Sequence, residues 1–171
     1  MAAITIVPTV AAQDEPASVN PCYDGAIFAA EPYEAIDLVC GWGVVGGPGK
    51  IVSFLNSHTA SVTVRDAGGN VVVSIEPEEL ASLWTGPFWW DADDEWVDCA
   101  GPRGGAVAWV YQVPGGLPAG IYQVTYEETL THPVNDGYHT CWMREDGSRL
   151  VSAPSLWWGS FTAISTLVVA E

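Results

Sequence analysis

The chain has 171 residues, 49% of them hydrophobic and 15% charged, which suits one domain with a sizeable core and excludes a disordered chain. Acids outnumber bases 21 to 5, for a formal charge of −16; Lys50, Arg65, Arg103, Arg144 and Arg149 are too few and scattered to replace phosphate counterions, so DNA, RNA and anionic membrane surfaces are excluded. No apolar run is long enough for a membrane span.

Residues 2–12 are apolar, and Val10-Ala11-Ala12 before Gln13 places small residues where a signal peptidase cuts, although a basic leader is missing and Pro8 interrupts the stretch. Two readings stand side by side: the end of a signal peptide, or a first edge strand. Residues 13–171 are expected to form a single domain.

Period-two alternation then recurs in short runs bounded by Gly, Pro, Asn and Asp, the pattern of antiparallel sheet. In 34–42, Ile36, Leu38, Cys40 and Trp42 share one face. Residues 60–65 and 70–75 read as a hairpin whose connection, Asp66-Ala67-Gly68-Gly69, supplies the glycines a tight turn needs. Ile51, Phe54, Leu55 and His58 have helical spacing, as do Leu80, Leu83 and Trp84 behind Pro77 and two glutamates, so each segment is expected to form one or two helical turns. Strands follow at 106–113, 121–130 and 161–169. On 121–130, Tyr122, Val124, Tyr126 and Leu130 fall on one face, and Gln123, Thr125, Glu127 and Thr129 on the other. The stretch 131–160 is too long for a hairpin loop and reads as an insertion.

Leu117-Pro118-Ala119-Gly120-Ile121-Tyr122 resembles the tyrosine corner of immunoglobulin-like and fibronectin-III-like domains in secreted bacterial proteins, where the hydroxyl ties back to nearby backbone. The chain also resembles secreted bacterial proteins with a Gly-Trp-Gly strand (41–43), a Phe-Leu-Asn turn (54–56) and a Pro-Val-Asn-Asp-Gly-Tyr loop (133–138). The resemblance implies an all-β, antiparallel immunoglobulin-like sandwich with long loops at one end; it implies no activity.

Four cysteines without CxxC spacing argue for two disulfides rather than zinc, and hence for an oxidising, extracellular or cell-surface location. The short corner 114–120 makes the flanking strands antiparallel, so the start of the first and the end of the second share one end of the domain. Cys99 precedes that start and Cys141 follows that end, so Cys99–Cys141 is the expected pair, leaving Cys22–Cys40. The same reasoning gathers seven of the nine tryptophans there: Trp84, Trp89, Trp90, Trp96, Trp142, Trp157 and Trp158. With the acids Asp91, Asp93, Asp94, Glu95 and Asp98 they form a tryptophan and acid pole.

The plain reading of this pole is a small loop core with a wet rim. The adjacent pairs Trp89-Trp90 and Trp157-Trp158 point further: in extended chain neighbours face opposite ways, leaving indoles for a ligand such as sugar, so Trp89, Trp90, Trp142, Trp157 and Trp158 are the candidate ligand-binding residues. For the acids, an EF-hand is excluded, because Trp96 stands where that loop needs glycine and Pro102 where it needs a bidentate glutamate. A looser calcium site at Asp91, Asp93, Asp94, Glu95 and Asp98 stays open beside solvated loop acids.

No nucleophile elbow, phosphate loop or metalloprotease helix is present, and His58, His132 and His139 lack catalytic spacing. A noncatalytic module recognising a glycan or another surface protein is therefore the first expectation. A structural subunit that assembles by donating residues 3–10 to a neighbour's sheet is the second, and a glycoside-active enzyme the third.

Overall fold

The alternating segments pair into two sheets in the computed structural model, which describes residues 15–91, 103–137, 142–143, 149–150 and 156–171. In chain order the elements are β1 (Ala17–Val19), β2 (Ile27–Ala30), β3 (Ile36–Val45), α1 (Gly49–Ser57), β4 (His58–Arg65), β5 (Val71–Ile75), α2 (Pro77–Leu83), β6 (Thr85–Asp91), β7 (Arg103–Val113), β8 (Gly120–Val134), β9 (Trp142–Met143), β10 (Arg149–Leu150) and β11 (Trp157–Val169). One sheet has the order β1-β3-β7-β6 and the other β2-β11-β8-β4-β5, while β9 and β10 form a two-stranded pair of their own among the described residues. The all-β class, the hairpin at Asp66–Gly69 and both short helices agree with the expectation.

Two pairings depart from an antiparallel sandwich. β1 runs parallel to β3 over Ile36–Leu38, and β2 runs parallel to β11 over Thr166–Val169. The N-terminal segment thus crosses from one sheet to the other, and Cys22–Cys40 fastens that crossing with its sulfurs bonded and its Cα atoms 6.0 Å apart. Cys99 and Cys141 lie outside the described residues, as do residues 1–14.

β7 and β8 are not hydrogen-bonded neighbours: they belong to opposite sheets, and the corner between them carries the chain across. Tyr122 donates its hydroxyl to the Pro118 carbonyl at 2.8 Å, the tie expected of this corner. The 131–160 insertion is shorter than expected, because β8 continues to Val134 and Trp157 of β11 pairs with it. Pro133 is tolerated in β8 because β4, the neighbour on its other side, reaches only to Leu130.

Inward residues of both sheets form the main core, including Ile36, Leu38, Val62, Trp109, Tyr126 and Leu167, each at most 2% exposed. A smaller core of Val44, Ile51, Phe54, Val107 and Val134 sits under α1. It holds the end of the molecule from which both long excursions depart. There Val45 donates to the Asp136 carbonyl at 2.7 Å and Gly46 to the Arg103 carbonyl at 2.9 Å, so the end of β3 bridges the start of β7 and the exit from β8.

Candidate functional site

Among the described residues, strand pairing closes the sheets on one side of the molecule only at the end remote from that bridge. β1 pairs with β3 no further than Leu38, and β2 meets β11 only from Thr166 onward. Nearer the bridge, β3 and β11 flank a 370 Å³ cleft lined by Trp42, Gly43, Glu128, Leu130, Asp136 and residues 157–161.

Strand parity explains what the cleft displays. On β11, Ala163, Ser165, Leu167 and Val169 point inward and are buried. Phe161 has the same parity yet is 48% exposed, because it faces the gap rather than an opposing strand. A register irregularity between Trp157 and Gly159 interrupts the alternation, and Trp157 and Trp158 are 51% and 73% exposed. From β3, Trp42 presents a half-buried ring that stacks on Phe54 at 4.1 Å between centroids. Trp42 is thereby fixed by the core of α1 rather than free to turn.

Two carboxylates enter this aromatic space. Asp136 is 8% exposed, and its Oδ2 accepts the Trp157 indole N–H at 3.0 Å. Gly137 follows with φ +87°, and a side chain there would meet the Val45 carbonyl and Lys50 Nζ, so only glycine lets this turn press against β3. Lys50 donates to that same carbonyl at 2.8 Å. Burial holds its ammonium below the ordinary lysine range, and the Asp136 charge opposes that shift.

Glu128 comes from the inward face of β8, two residues beyond Tyr126. The Tyr126 hydroxyl lies 3.3 Å from Glu128 Oε2 and donates to it, while His58 Nε2 lies 3.1 Å from the same hydroxyl and 3.8 Å from Glu128 Oε1. The 3.8 Å approach is no ion pair at neutral pH, because burial lowers the His58 pKa to about 4 and leaves the ring uncharged. Burial raises Glu128 above the usual carboxylate range, partly offset by the tyrosine hydrogen bond. It raises Tyr126 as well, reinforced by Glu128.

The pole expected from sequence divides. Trp157 and Trp158 line the cleft. Trp89 and Trp90 do not: they lie on the edge strand β6, opposite Gly105 and Gly104 of β7, with their rings across the space a β-carbon would occupy. They are 38% and 43% exposed, on opposite faces of the strand. Trp84 packs inward, edge-on to Phe54 and His58 at 5.5 and 5.2 Å.

Asp91 ends β6, exposed, opposite Arg103. Asp93, Asp94, Glu95, Trp96 and Asp98 lie outside the described residues, and so does the side chain of Trp142. Among the described residues no group of three or more His, Cys, Asp or Glu is placed to hold a metal, and no helix is long and apolar enough to cross a membrane.

Sequence reasoning missed Glu128, Asp136, Phe161 and Trp42 as parts of one site. For Glu128 the signal was present: its parity puts a carboxylate in the inward column between Tyr126 and Leu130. Phe161 and Trp42 looked like ordinary core residues, since alternation reports which face a side chain takes and not whether anything covers it. Compared with known proteins, the chain matches no family model, no curated protein and no solved structure.

Proposed function

We propose that this chain is an extracellular, noncatalytic recognition module of immunoglobulin-like architecture that binds carbohydrate in the cleft between β3 and β11. The observation that carries the reading is the combination in one concavity of exposed Trp157, Trp158 and Phe161 with Glu128, Asp136 and Ser160. Flat apolar rings stack on the apolar faces of a sugar, while nearby oxygens take its hydroxyls. The Tyr122 corner and the passage of β7 into β8 across the sheets support the immunoglobulin-like part, and Cys22–Cys40 is compatible with an oxidising compartment.

The test is indole emission during titration with a panel of soluble oligosaccharides. A saturable shift is expected with at least one of them, and Trp158→Ala is expected to weaken binding by roughly tenfold or more, as loss of a central aromatic anchor does. Emission that stays constant across the panel removes the reading.

A second reading, assembly by strand addition, is supported by the outer edges of β3 beyond Leu38 and of β11 before Ile164, which have no strand partner among the described residues. It predicts concentration-dependent association that disappears when residues 1–12 are deleted.

A further inference from the structure

Glu128 and Asp136 are the charged residues of the cleft lining, and no lysine, arginine or histidine joins them among the described residues. The two carboxylates are not equivalent. Asp136 lies in the field of the Lys50 ammonium and takes the Trp157 indole N–H. Among the described residues Glu128 has the neutral Tyr126 hydroxyl and the His58 ring beside it, and burial leaves that ring unprotonated at neutral pH. Among the described residues no neighbouring cation therefore offsets Glu128.

A half-buried carboxylate without a counter-charge is poorly served by a neutral ligand, which offers it only a hydroxyl. An ammonium group supplies both a charge-assisted hydrogen bond and the missing charge. The exposed faces of Trp157 and Trp158 favour the same group through cation–π attraction. At long range, the chain's charge of −16 attracts cationic ligands and repels acidic ones.

We infer that the cleft selects glycans whose sugar units carry free amino groups, with Glu128 receiving the ammonium and the tryptophans stacking on the ring. The inference rests on the carbohydrate reading above and narrows it to one chemical class.

Calorimetric titration at low salt and about pH 6 with three probes tests it: a β-1,4-linked glucosamine hexamer, its fully N-acetylated counterpart, and cellohexaose. The glucosamine hexamer is expected to bind at least about tenfold more tightly than either neutral chain, the scale of one charge-assisted contact. In Glu128→Gln that preference should fall close to parity. In Glu127→Gln, which removes the same charge from the opposite, exposed face of β8, it should persist.

Because the readout is a ratio measured on one sample, a partly folded variant does not distort it. Neutral and amino hexamers binding equally well to the unaltered protein would overturn the inference and leave the carbohydrate reading standing. A preference that survives Glu128→Gln, or falls equally in Glu127→Gln, would assign it to bulk charge and overturn the inference as well. Binding of none of the three would overturn both.

Discussion

His58 and Glu128 sit 3.8 Å apart with pKa shifts that act on stability in opposite directions. The folded value of His58 is about 4 against an ordinary 6.5, so as pH falls below 6.5 the unfolded chain takes up its proton first. The stabilisation from keeping the ring neutral is complete above pH 6.5 and is gone near pH 4; the shift corresponds to about 3 kcal/mol. Glu128 is raised, so the folded chain protonates it first, and its ionisation counts against folding as pH rises through the raised value. His58→Phe keeps an aromatic ring among Phe54 and Trp84 and removes the titration. Urea denaturation at a series of pH values should show the variant losing less stability than the parent between pH 6.5 and 4. Parallel curves would mean that His58 is as easily protonated in the folded protein as in the unfolded chain.

Local patterning carries different information in different elements. β4, β5 and most of β3 and β8 were legible because one face is buried and the other is wet, which is what alternation encodes. β6 was not, because Thr-Gly-Pro-Phe-Trp-Trp-Asp has no alternation and every residue of this edge strand is exposed. What specifies β6 instead is the partner strand: Gly104 and Gly105 leave room for the Trp90 and Trp89 rings. Gly105→Ala would put a methyl group into the Trp89 ring, so the indole must swing away. A loss of roughly 1–3 kcal/mol is expected, together with a red-shifted indole emission; an unchanged spectrum and urea midpoint would show that the ring is not held there. The corner before β8 was legible for the converse reason, since a short run of Pro, Gly and Tyr fixes its own geometry. Removing the hydroxyl in Tyr122→Phe deletes the 2.8 Å bond to Pro118 and should cost about 1 kcal/mol in urea denaturation, the net worth of one hydrogen bond.

At the scale of the molecule, the sequence placed two long excursions at a common end but could not say which tryptophans meet, because ring contacts depend on gaps between sheets. The common end follows from chain directions alone, and the hydrogen bonds of Val45 and Gly46 to Asp136 and Arg103 bear on it directly. Those bonds also bear on the cysteines through chain length. Cys99 is four residues before Arg103, and Cys141 is four residues after Gly137. Four residues reach at most about 14 Å, so chain length from these two anchors permits the cysteines to pair. Cys22 and Cys40 are already joined. Peptide mapping of the unreduced protein by mass spectrometry should therefore find Cys99 linked to Cys141. Reduction should remove the constraint of both loops, about 3 kcal/mol for the 18-residue span of Cys22–Cys40 in the chain-entropy treatment. A free thiol at position 99 or 141 would mean that no disulfide joins the two excursions, and reduction would then cost no more than the Cys22→Ala/Cys40→Ala double substitution does.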